Sequence, residues 1–425
     1  MKIGIQTWGS DGDILPHLAL AGGLRASGHD VTLVYTSVDN KDYSELCTKM
    51  DFTGIKVFDH FPFDDALQEK LKRFFLKEKF PLKHLQVIFE DFYKPAVDEM
   101  WEASLELCEQ NDLVIGHWGL HTLQSGAEKT GTPHMAVVLN HSPIPSRNIT
   151  PMGTPPLGEW LNPLWWKIVS LIVDRCLLPY YKPLREKVGM PPYRSVFHHA
   201  WRAENLNLIA VSPELCQRPP DWPESYKVCG FFNLPVDLVD WTMPDTLRDF
   251  LAAGDPPVYM TYGSMTSLSE EYEGIALEDF TMAAQLAGCR ALIQSRVAPE
   301  GVHKDNPNIY IVNRLPHQHI FPYCAAVVHH GGAGHTQSTL LSGCPSIVVA
   351  HIADQIFWGR ELYRLGVAPR PIFRQGFKIE KLVKAIRTVL DNPVMKKKAA
   401  EIGARMEKEN GVEKAVQEIN QWRQT

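Results

Sequence analysis

The sequence predicts an α/β fold made of two doubly wound domains. In both halves of the 425-residue chain, strand-like runs alternate with helical patterns. Most of these runs are continuously apolar, which is typical of parallel strands that helices cover on both faces. A chain of this length also exceeds one hydrophobic core, so two domains are the simplest arrangement.

The strand-like runs form two series, separated by a segment that contains two prolines, residues 233–245. The first series comprises residues 2–7, 31–36, 112–118, 133–140, 207–215 and 226–232. The second series comprises residues 257–264, 291–295, 309–313, 325–330 and 346–350. Each series supplies enough strands for one parallel sheet.

We therefore place an N-terminal domain at residues 1–235, a linker at 236–245 and a C-terminal domain at 246–405. Residues 406–425 form a final helix, in which Val412, Val416, Ile419 and Trp422 share one stripe. We expect this helix to pack back on the N-terminal domain.

Composition excludes several function classes. The formal net charge of −6 argues against a nucleic-acid partner, which needs a basic face. The eight cysteines stand singly, and the chain starts directly with a strand-like run, which together indicate a reducing, cytoplasmic location. No stretch has the about 18 uncharged apolar residues of a membrane span. The closest, residues 164–181, is interpreted as a core helix, a wall of an acceptor site or a helix at a membrane surface.

The run AVVHHGGAGHTQS, residues 326–338, indicates an anion site. A strand leads into four small residues and then into a helical pattern, so a ligand can approach free backbone N–H groups at a helix start. A phosphate or diphosphate is favoured over a purely structural turn. A metal site is disfavoured, because His329 and His330 are neighbours on a strand and point to opposite faces.

Three further turns follow strands, where open α/β sheets bind their ligands. TYGSMTS at residues 261–267 indicates a second phosphate contact or an ordinary turn. TWGSDGDILPH at 7–17 contains Asp11 and Asp13, which suit a divalent cation or a helix cap. AHIADQ at 350–355 offers Asp354 and Gln355 to the vicinal hydroxyls of a sugar, or to the cap of a helix.

Taken together, these stretches resemble the family 1 UDP-sugar glycosyltransferases, which have the GT-B fold. The likeness covers essentially the whole chain and rests on HHGGAG, the DQ that follows about twenty residues later, GSDGDILPHLALAGGLRASGHDV, PPVYMTYGS and LPHQHIF. Bacterial members that act on antibiotic aglycones, rhamnosyltransferases of glycolipid synthesis and sterol glucosyltransferases are the most similar in pattern. The resemblance implies two Rossmann-like domains that face each other across a cleft.

The resemblance also implies donor-binding positions. The diphosphate is expected at His329, His330, Gly331, Gly332, Ala333, Gly334 and Thr336, with Gly263, Ser264 and Ser10. The nucleoside is expected at Leu315, His317 and Gln318, with Arg296 and Gln337. Asp354 and Gln355 are expected to hold the sugar hydroxyls. Leu315 replaces a stacking Trp of the plant members, and Gln337 replaces their ribose-binding Glu, which leaves UDP and TDP both open.

Asp13 stands where the plant members carry their catalytic His, as it does in bacterial relatives. It is therefore the expected general base of a one-step inverting transfer, with His17 as the second candidate. The acceptor is expected near Trp8, His117, Trp118, His121 and Asn140. No metal and no cofactor are expected, because the glycine loop and a histidine stabilise the leaving UDP.

The expected reaction moves a hexose, with glucose favoured, to a hydroxyl of a lipophilic acceptor such as a sterol, a polyketide or a glycolipid precursor. The aromatic segment around Trp160, Trp165 and Trp166 suggests such an acceptor, or simply a domain core. A peripheral membrane contact is compatible with this pattern. The alternatives are a non-catalytic sugar-nucleotide-binding protein and a sugar-nucleotide epimerase on the same fold. A dehydrogenase is disfavoured, because GSDGD lacks the GxGxxG pattern.

Overall fold

The computed structural model describes residues 1–58, 60–61, 64–78, 80–238, 240–263 and 269–424. The chain divides into two compact units. Unit 1 comprises residues 1–61, 80–234 and 409–425, and unit 2 comprises residues 62–79 and 235–408. Each unit is built on its own largely parallel sheet with intervening helices, which confirms the predicted α/β class.

Unit 1 contains a sheet in the order β3-β2-β1-β4-β5-β6-β7, in which the described neighbouring strands all pair in parallel. The strands are β1 Lys2–Gly9, β2 Asp30–Ser37, β3 Thr53–Lys56, β4 Leu113–His117, β5 His134–Val138, β6 Asn207–Ile209 and β7 Tyr226–Val228. The helices are α1 Asp11–Ala26, α2 Ser44–Lys49, α4 Pro81–Ile88, α5 Lys94–Gln110, α6 His121–Thr130, α7 Asn162–Lys187 and α15 Gly411–Trp422, and α3 belongs to unit 2.

Unit 2 contains a sheet in the order β10-β11-β9-β8-β12-β13-β14. The strands are β8 Val258–Met260, β9 Ala291–Gln294, β10 Gly301–His303, β11 Asn306–Val312, β12 Ala326–His329, β13 Ser346–Ala350 and β14 Ile372–Phe373. The helices are α3 Asp65–Lys77, α8 Asp245–Ala252, α9 Glu270–Ala287, α10 His317–Ile320, α11 Ala333–Leu341, α12 Ala353–Arg364, α13 Ile379–Leu390 and α14 Pro393–Met406. The edge strand β10 runs antiparallel to β11, whereas the other described pairs are parallel.

The core of unit 1 explains where the last helix packs. Ala415, Val416 and Ile419 of α15 are buried in one apolar cluster with residues of α1 and β1. A Cβ on Gly23 of α1 would stand only 2.4 Å from a methyl carbon of Val412, so the two helices approach each other closely at this glycine. The final helix is thus an integral part of unit 1.

The units differ from the predicted boundaries at residues 62–79, which we had placed in the N-terminal domain. The helix α3 within this segment packs on α9 of unit 2. Phe75 stacks on Tyr272 with 5.4 Å between ring centroids, and Lys72 forms a 2.6 Å ion pair with Glu271. The sequence alone did not reveal this, because the segment lies between two elements of the other unit.

Among the described residues, no helix combines the length and the apolarity that are needed to cross a bilayer. The helix α7 covers the apolar run at residues 164–181 and is buried along only one side. Its opposite side carries exposed apolar residues, so the run is not simply a core helix.

Candidate active site

The candidate residues gather at the topological switch point of each sheet. In unit 1 the chain leaves β1 for β2 and β3, and then returns to β4 on the other side of β1. In unit 2 it leaves β8 toward β9 and β11, and then returns to β12 beside β8. The carboxyl ends of such strand pairs form a crevice that commonly binds ligands. Asp13 and His117 follow the first pair, whereas Gly263 and His330 follow the second pair.

Asp13 lies in the first turn of α1, and one of its carboxylate oxygens is fixed by the helix start. Its Oδ2 accepts a hydrogen bond from the Ser10 backbone N–H at 2.9 Å and lies 3.5 Å from the Ser10 hydroxyl. The predicted capping role is therefore real. It occupies only Oδ2, and 36% of the side chain remains exposed.

The second oxygen of Asp13 faces a histidine from β4. His117 Nε2 lies 3.6 Å from Asp13 Oδ1, and His117 Nδ1 accepts a hydrogen bond from the Gly119 backbone N–H at 3.2 Å. Because Nδ1 is used as an acceptor, the neutral ring carries its proton on Nε2, toward the carboxylate. The sequence placed His117 with the acceptor, and the structure adds that its ring faces Asp13.

Asp11 is not equivalent to Asp13 although the two residues form a D-x-D pattern. Its Oδ1 accepts a hydrogen bond from the Tyr43 hydroxyl at 2.7 Å, and its Oδ2 pairs with the Lys41 ammonium at 2.7 Å. Both carboxylate oxygens therefore serve the local structure. This arrangement leaves Asp13 as the carboxylate of the turn that still has an oxygen for chemistry.

His17 and His121 are fully buried in unit 1. His17 Nδ1 donates to the Asp13 carbonyl at 2.7 Å, and His121 Nδ1 bonds the Tyr93 hydroxyl at 2.6 Å. Desolvation lowers the pKa of each ring to about 3, with His117 lowering that of His17 further and Arg185 that of His121. The His17 ring is buried and its Nδ1 is bonded to the Asp13 carbonyl, so the partly exposed Asp13 carboxylate is better placed to act as the base.

These two histidines predict that mild acid destabilises the fold. Their pKa values are about 3 in the folded chain and about 6.5 in the unfolded chain. At pH values between these two pKa values, the unfolded chain therefore binds more protons than the folded chain. The free energy of unfolding therefore falls as pH decreases below about 6.5, by up to about 1.4 kcal/mol per pH unit for each ring. This slope is obtained from the free energy of urea unfolding, measured at pH values about one unit apart between about 7.5 and about 4.5. A His17→Gln variant should have a shallower slope, and identical slopes would contradict the assignment.

The predicted acceptor residues lie in an aromatic region of unit 1. Trp8 is buried and packs edge-on against Tyr93, with 4.8 Å between ring centroids, and against Phe89 at 6.3 Å. Trp118 packs edge-on against Trp201 at 4.5 Å, a partner that the sequence reasoning missed. The Asn140 side-chain oxygen Oδ1 accepts a hydrogen bond from the Ser142 backbone N–H at 2.9 Å, which fixes the orientation of the amide.

The glycine loop of unit 2 wraps closely around one histidine. A Cβ on Gly332 would stand 2.3 Å from His330 Nε2, and a Cβ on Gly263 would stand 2.5 Å from His330 Cε1. Gly331 has φ of +90°, and a Cβ there would stand 2.8 Å from the Gln355 carbonyl oxygen. The loop thus has glycine at these positions because any side chain would collide or be strained. The turn after β8 meets the turn after β12 at the His330 ring.

The start of α11 has the character of an anion site. The helix begins at Ala333, and its N-cap residue Gly332 has no side chain that could cap the first N–H groups. A Cβ on Gly334 would meet no atom of the described residues within 4 Å. Free N–H groups and the helix dipole at such a start favour an anionic ligand. The predicted diphosphate position therefore has a suitable geometry.

Four histidines gather beside this helix start. His330 lies 5.0 Å from His335 between ring centroids, and His317 lies 4.5 Å from His335. His329 Nδ1 accepts from the Gly331 N–H at 3.1 Å, which leaves its buried Nε2 as the protonated nitrogen. Desolvation, and then the neighbouring histidines, lower the pKa values of His329 and His330 well below 6.5. The sequence reasoning missed His335, although it follows the glycines directly.

Gln355 of α12 is partly committed to the fold. Its Oε1 accepts from the backbone N–H groups of His351 at 2.8 Å and Ile352 at 3.3 Å. Only its amide nitrogen can therefore bind a sugar hydroxyl. Asp354 precedes it in the first turn of α12 and is half-buried.

The remaining predicted donor residues differ in exposure. The Leu315 side chain is buried in the core of unit 2, so only its backbone is available to a nucleoside. Thr336 and Gln337 are also buried, whereas Gln318 is half-buried in α10. Arg296 is more than half exposed and donates its backbone N–H to Glu273 at 2.5 Å. Ser264 lies outside the described residues.

Sequence comparison identifies relatives of the whole chain. Residues 287–421 match the family described as erythromycin biosynthesis protein CIII-like, C-terminal domain. O-mycaminosyltylonolide 6-deoxyallosyltransferase of Streptomyces fradiae is 29% identical over 100% of this chain and 98% of its own length. A sterol 3-beta-glucosyltransferase of Arabidopsis thaliana is 27% identical over 98% of this chain and 67% of its own length.

Solved structures share the fold. The glycotransferase of kitacinnamycin has a TM-score of 0.70 and 17% identity, with 99% of this chain and 98% of that chain covered. The glycosyltransferase VinC in complex with DTDP has a TM-score of 0.65 and 18% identity, with 99% of each chain covered. The predicted GT-B fold is confirmed, and with the sequence relatives the class of enzyme is confirmed as well. The chain is a glycosyltransferase.

Proposed function

We propose that the chain is an inverting glycosyltransferase that moves a hexose from a UDP-sugar to a hydroxyl of a lipophilic small molecule. Unit 1 binds the acceptor, and unit 2 binds the nucleotide sugar. The proposal depends above all on the Asp13 carboxylate, which is partly exposed, with Oδ2 fixed by Ser10 and Oδ1 facing His117. A base held in one orientation but open to substrate is what proton removal from an alcohol requires.

In the proposed reaction, Asp13 Oδ1 takes the proton of the acceptor hydroxyl. The alcohol oxygen forms a bond to the anomeric carbon while the bond from that carbon to the diphosphate oxygen breaks. A single displacement from the opposite face inverts the anomeric configuration. The His117 Nε2–H orients the carboxylate and stabilises its charge before the proton arrives.

The leaving diphosphate is proposed to bind at the start of α11. Its negative charge is balanced by the first N–H groups of the helix and by the Nε2–H of His329. Gly263 and His330 complete the wall of this site, and Asp354 with the Gln355 amide nitrogen binds the sugar hydroxyls. The proposal includes no metal ion, because backbone dipoles and neutral histidines supply the electrostatic stabilisation.

The identity of the donor is proposed from the relatives. The Arabidopsis relative is a glucosyltransferase by name, whereas the Streptomyces fradiae relative transfers a 6-deoxyallosyl group and VinC was solved with DTDP. Buried Gln337 occupies the position of the ribose-binding Glu of plant members. We favour UDP-glucose, with TDP-sugars as the competing donors.

A lipophilic acceptor is supported by the apolar character of the region near Asp13. Trp8, Phe89 and Tyr93 form a buried aromatic group in unit 1, and the half-buried Trp118 packs beside His117. Aromatic walls with a few polar groups are typical of sites for large apolar ligands. The names of the relatives, which include sterol glucosyltransferases, point to the same class of acceptor.

A UDP-release assay tests this function. With UDP-glucose and a panel of sterols and polyketide alcohols, we expect UDP release that depends on the alcohol and persists in EDTA. A TDP-glucose arm ranks the two nucleotides. Nucleotide binding without release for every donor and alcohol would instead indicate a non-catalytic sensor. A change of the sugar without an acceptor would indicate an epimerase.

A further inference from the structure

One side of α7 carries an exposed apolar surface that the proposed reaction does not use. We define the α7 face as Trp160 and Leu161, which directly precede the helix, and the helix residues Leu164, Ile168, Leu171 and Ile172. Their spacing of three and four residues places them along one side of the helix. Trp160 is 92% exposed and Leu171 is 71% exposed. The helical part of the face, from Leu164 to Ile172, extends for about 12 Å at the helical rise.

The opposite side of α7 already has its partners. Trp166, Val173, Leu177 and Tyr181 are buried within unit 1, and the Trp166 indole donates to the Ile149 carbonyl at 2.8 Å. The helix therefore has a packed side and an unpacked apolar side. Apolar side chains this close together on a surface usually mark a contact with a partner or a membrane.

The charged residues around the α7 face distinguish a membrane from a protein partner. From residue 160 to residue 182, the charged residues at exposed positions are Lys167, Arg175 and Lys182. Asp174 is half-buried and accepts from the Val196 backbone N–H at 2.6 Å, while Glu159 lies just before the face. Protein interfaces are depleted of lysine at their centres, whereas interfacial helices combine Trp, Leu and Ile with Lys and Arg. The chain as a whole is acidic, so these cations do not reflect its general composition.

A cavity of about 580 Å³ adjoins the α7 face; Leu171 belongs to both, and Lys167 also lines the cavity. It is also lined by Arg147, Asp174 and Asp221. The Asp221 carboxylate accepts from the Arg147 backbone N–H and from the Ser146 hydroxyl, and Asp174 is occupied as above. Arg147 and Lys167 add two cationic side chains to this lining, beside the two hydrogen-bonded carboxylates.

We propose that the α7 face binds the surface of a lipid bilayer that contains anionic phospholipids. The apolar side chains enter the boundary of the acyl chains, and Trp160 lies at the level of the head groups. Lys167 and Arg175 contact the anionic head groups at the rim of the face. A bilayer contains lipophilic alcohols, which are the acceptor class of the proposed function. Binding at its surface would therefore raise the local concentration of acceptor around the enzyme.

Vesicle flotation of the full-length chain tests the surface without any assay of transfer. We expect the wild-type chain to float with vesicles of phosphatidylcholine and phosphatidylglycerol, and less with phosphatidylcholine alone. The double variant Leu164→Glu/Leu171→Glu should lower binding at least about tenfold. Lys167→Gln/Arg175→Gln should lose most of the preference for the anionic vesicles.

The matched control is Met282→Glu/Leu286→Glu on α9, where both side chains are about half exposed. This variant should float like the wild type. Thermal melts of every variant show whether the fold is retained, and both changes in each Glu pair lie at solvent-exposed positions. Failure of the wild-type chain to bind either type of vesicle would overturn the proposal. An equal loss of vesicle binding in the α9 control would do the same. A dimer that the α7 Glu pair dissociates, without vesicle binding, would identify a self-association surface instead.

Discussion

An Asp13→Asn variant is expected to lose about 10³-fold in kcat, the middle of the range for removal of a general base. It should retain the fold and the affinity for UDP. The amide oxygen of Asn can still accept the hydrogen bond from the Ser10 N–H, and Asn caps helices as well as Asp does. The start of α1 is therefore preserved. What the variant loses is the negative charge that takes a proton from the acceptor.

Three measurements separate these effects. UDP release gives kcat, titration calorimetry gives the affinity for UDP, and a thermal melt reports the fold. The matched control is Asp11→Asn, two residues earlier, which loses the ion pair with Lys41 but no proposed chemistry. That control should stay within a few fold of the wild-type kcat. Near-normal turnover of Asp13→Asn, or an equal loss in Asp11→Asn, would remove Asp13 as the base.

The sequence predicted the fold where burial dominates. The runs at β4, β5, β12 and β13 are mainly apolar, and the structure places all four inside the two sheets rather than at their edges. The strands β3, β10 and β14 were not predicted. They have two to four residues, lie at or near sheet edges and are partly exposed, so they carry little apolar signal.

The part of the site that requires glycine could be predicted from the sequence. Glycines 331 and 332 follow from the turn itself, because side chains there would collide with Gln355 or His330. The burial of the Leu315 side chain was not predicted, since the position was assigned from the resemblance and not from its apolar character. The orientation of His117 toward Asp13 could not be predicted. It depends on strands β1 and β4, which are neighbours in the sheet but about a hundred residues apart in the chain.

A second large effect is expected when a negative charge is placed beside the start of α11. The variant Gly334→Glu should lower the affinity for UDP by about 10²-fold or more, because a carboxylate would occupy the space proposed for the diphosphate. The same change should not harm the fold. A Cβ at Gly334 meets no atom within 4 Å, and a glutamate in the first turn of a helix is stabilising by about 0.3–1 kcal/mol.

The comparison with Gly334→Gln isolates the charge, since the two side chains have nearly the same size. Gln should weaken UDP binding less than Glu does, and added salt should narrow the difference because salt screens charge repulsion. Calorimetry with UDP and a thermal melt of both variants give the affinity and the stability separately. Equal UDP affinities for Gly334→Glu and Gly334→Gln would mean that the diphosphate binds away from this helix. The electrostatic role of α11 in stabilising the leaving group would then be wrong, whatever the outcome at Asp13.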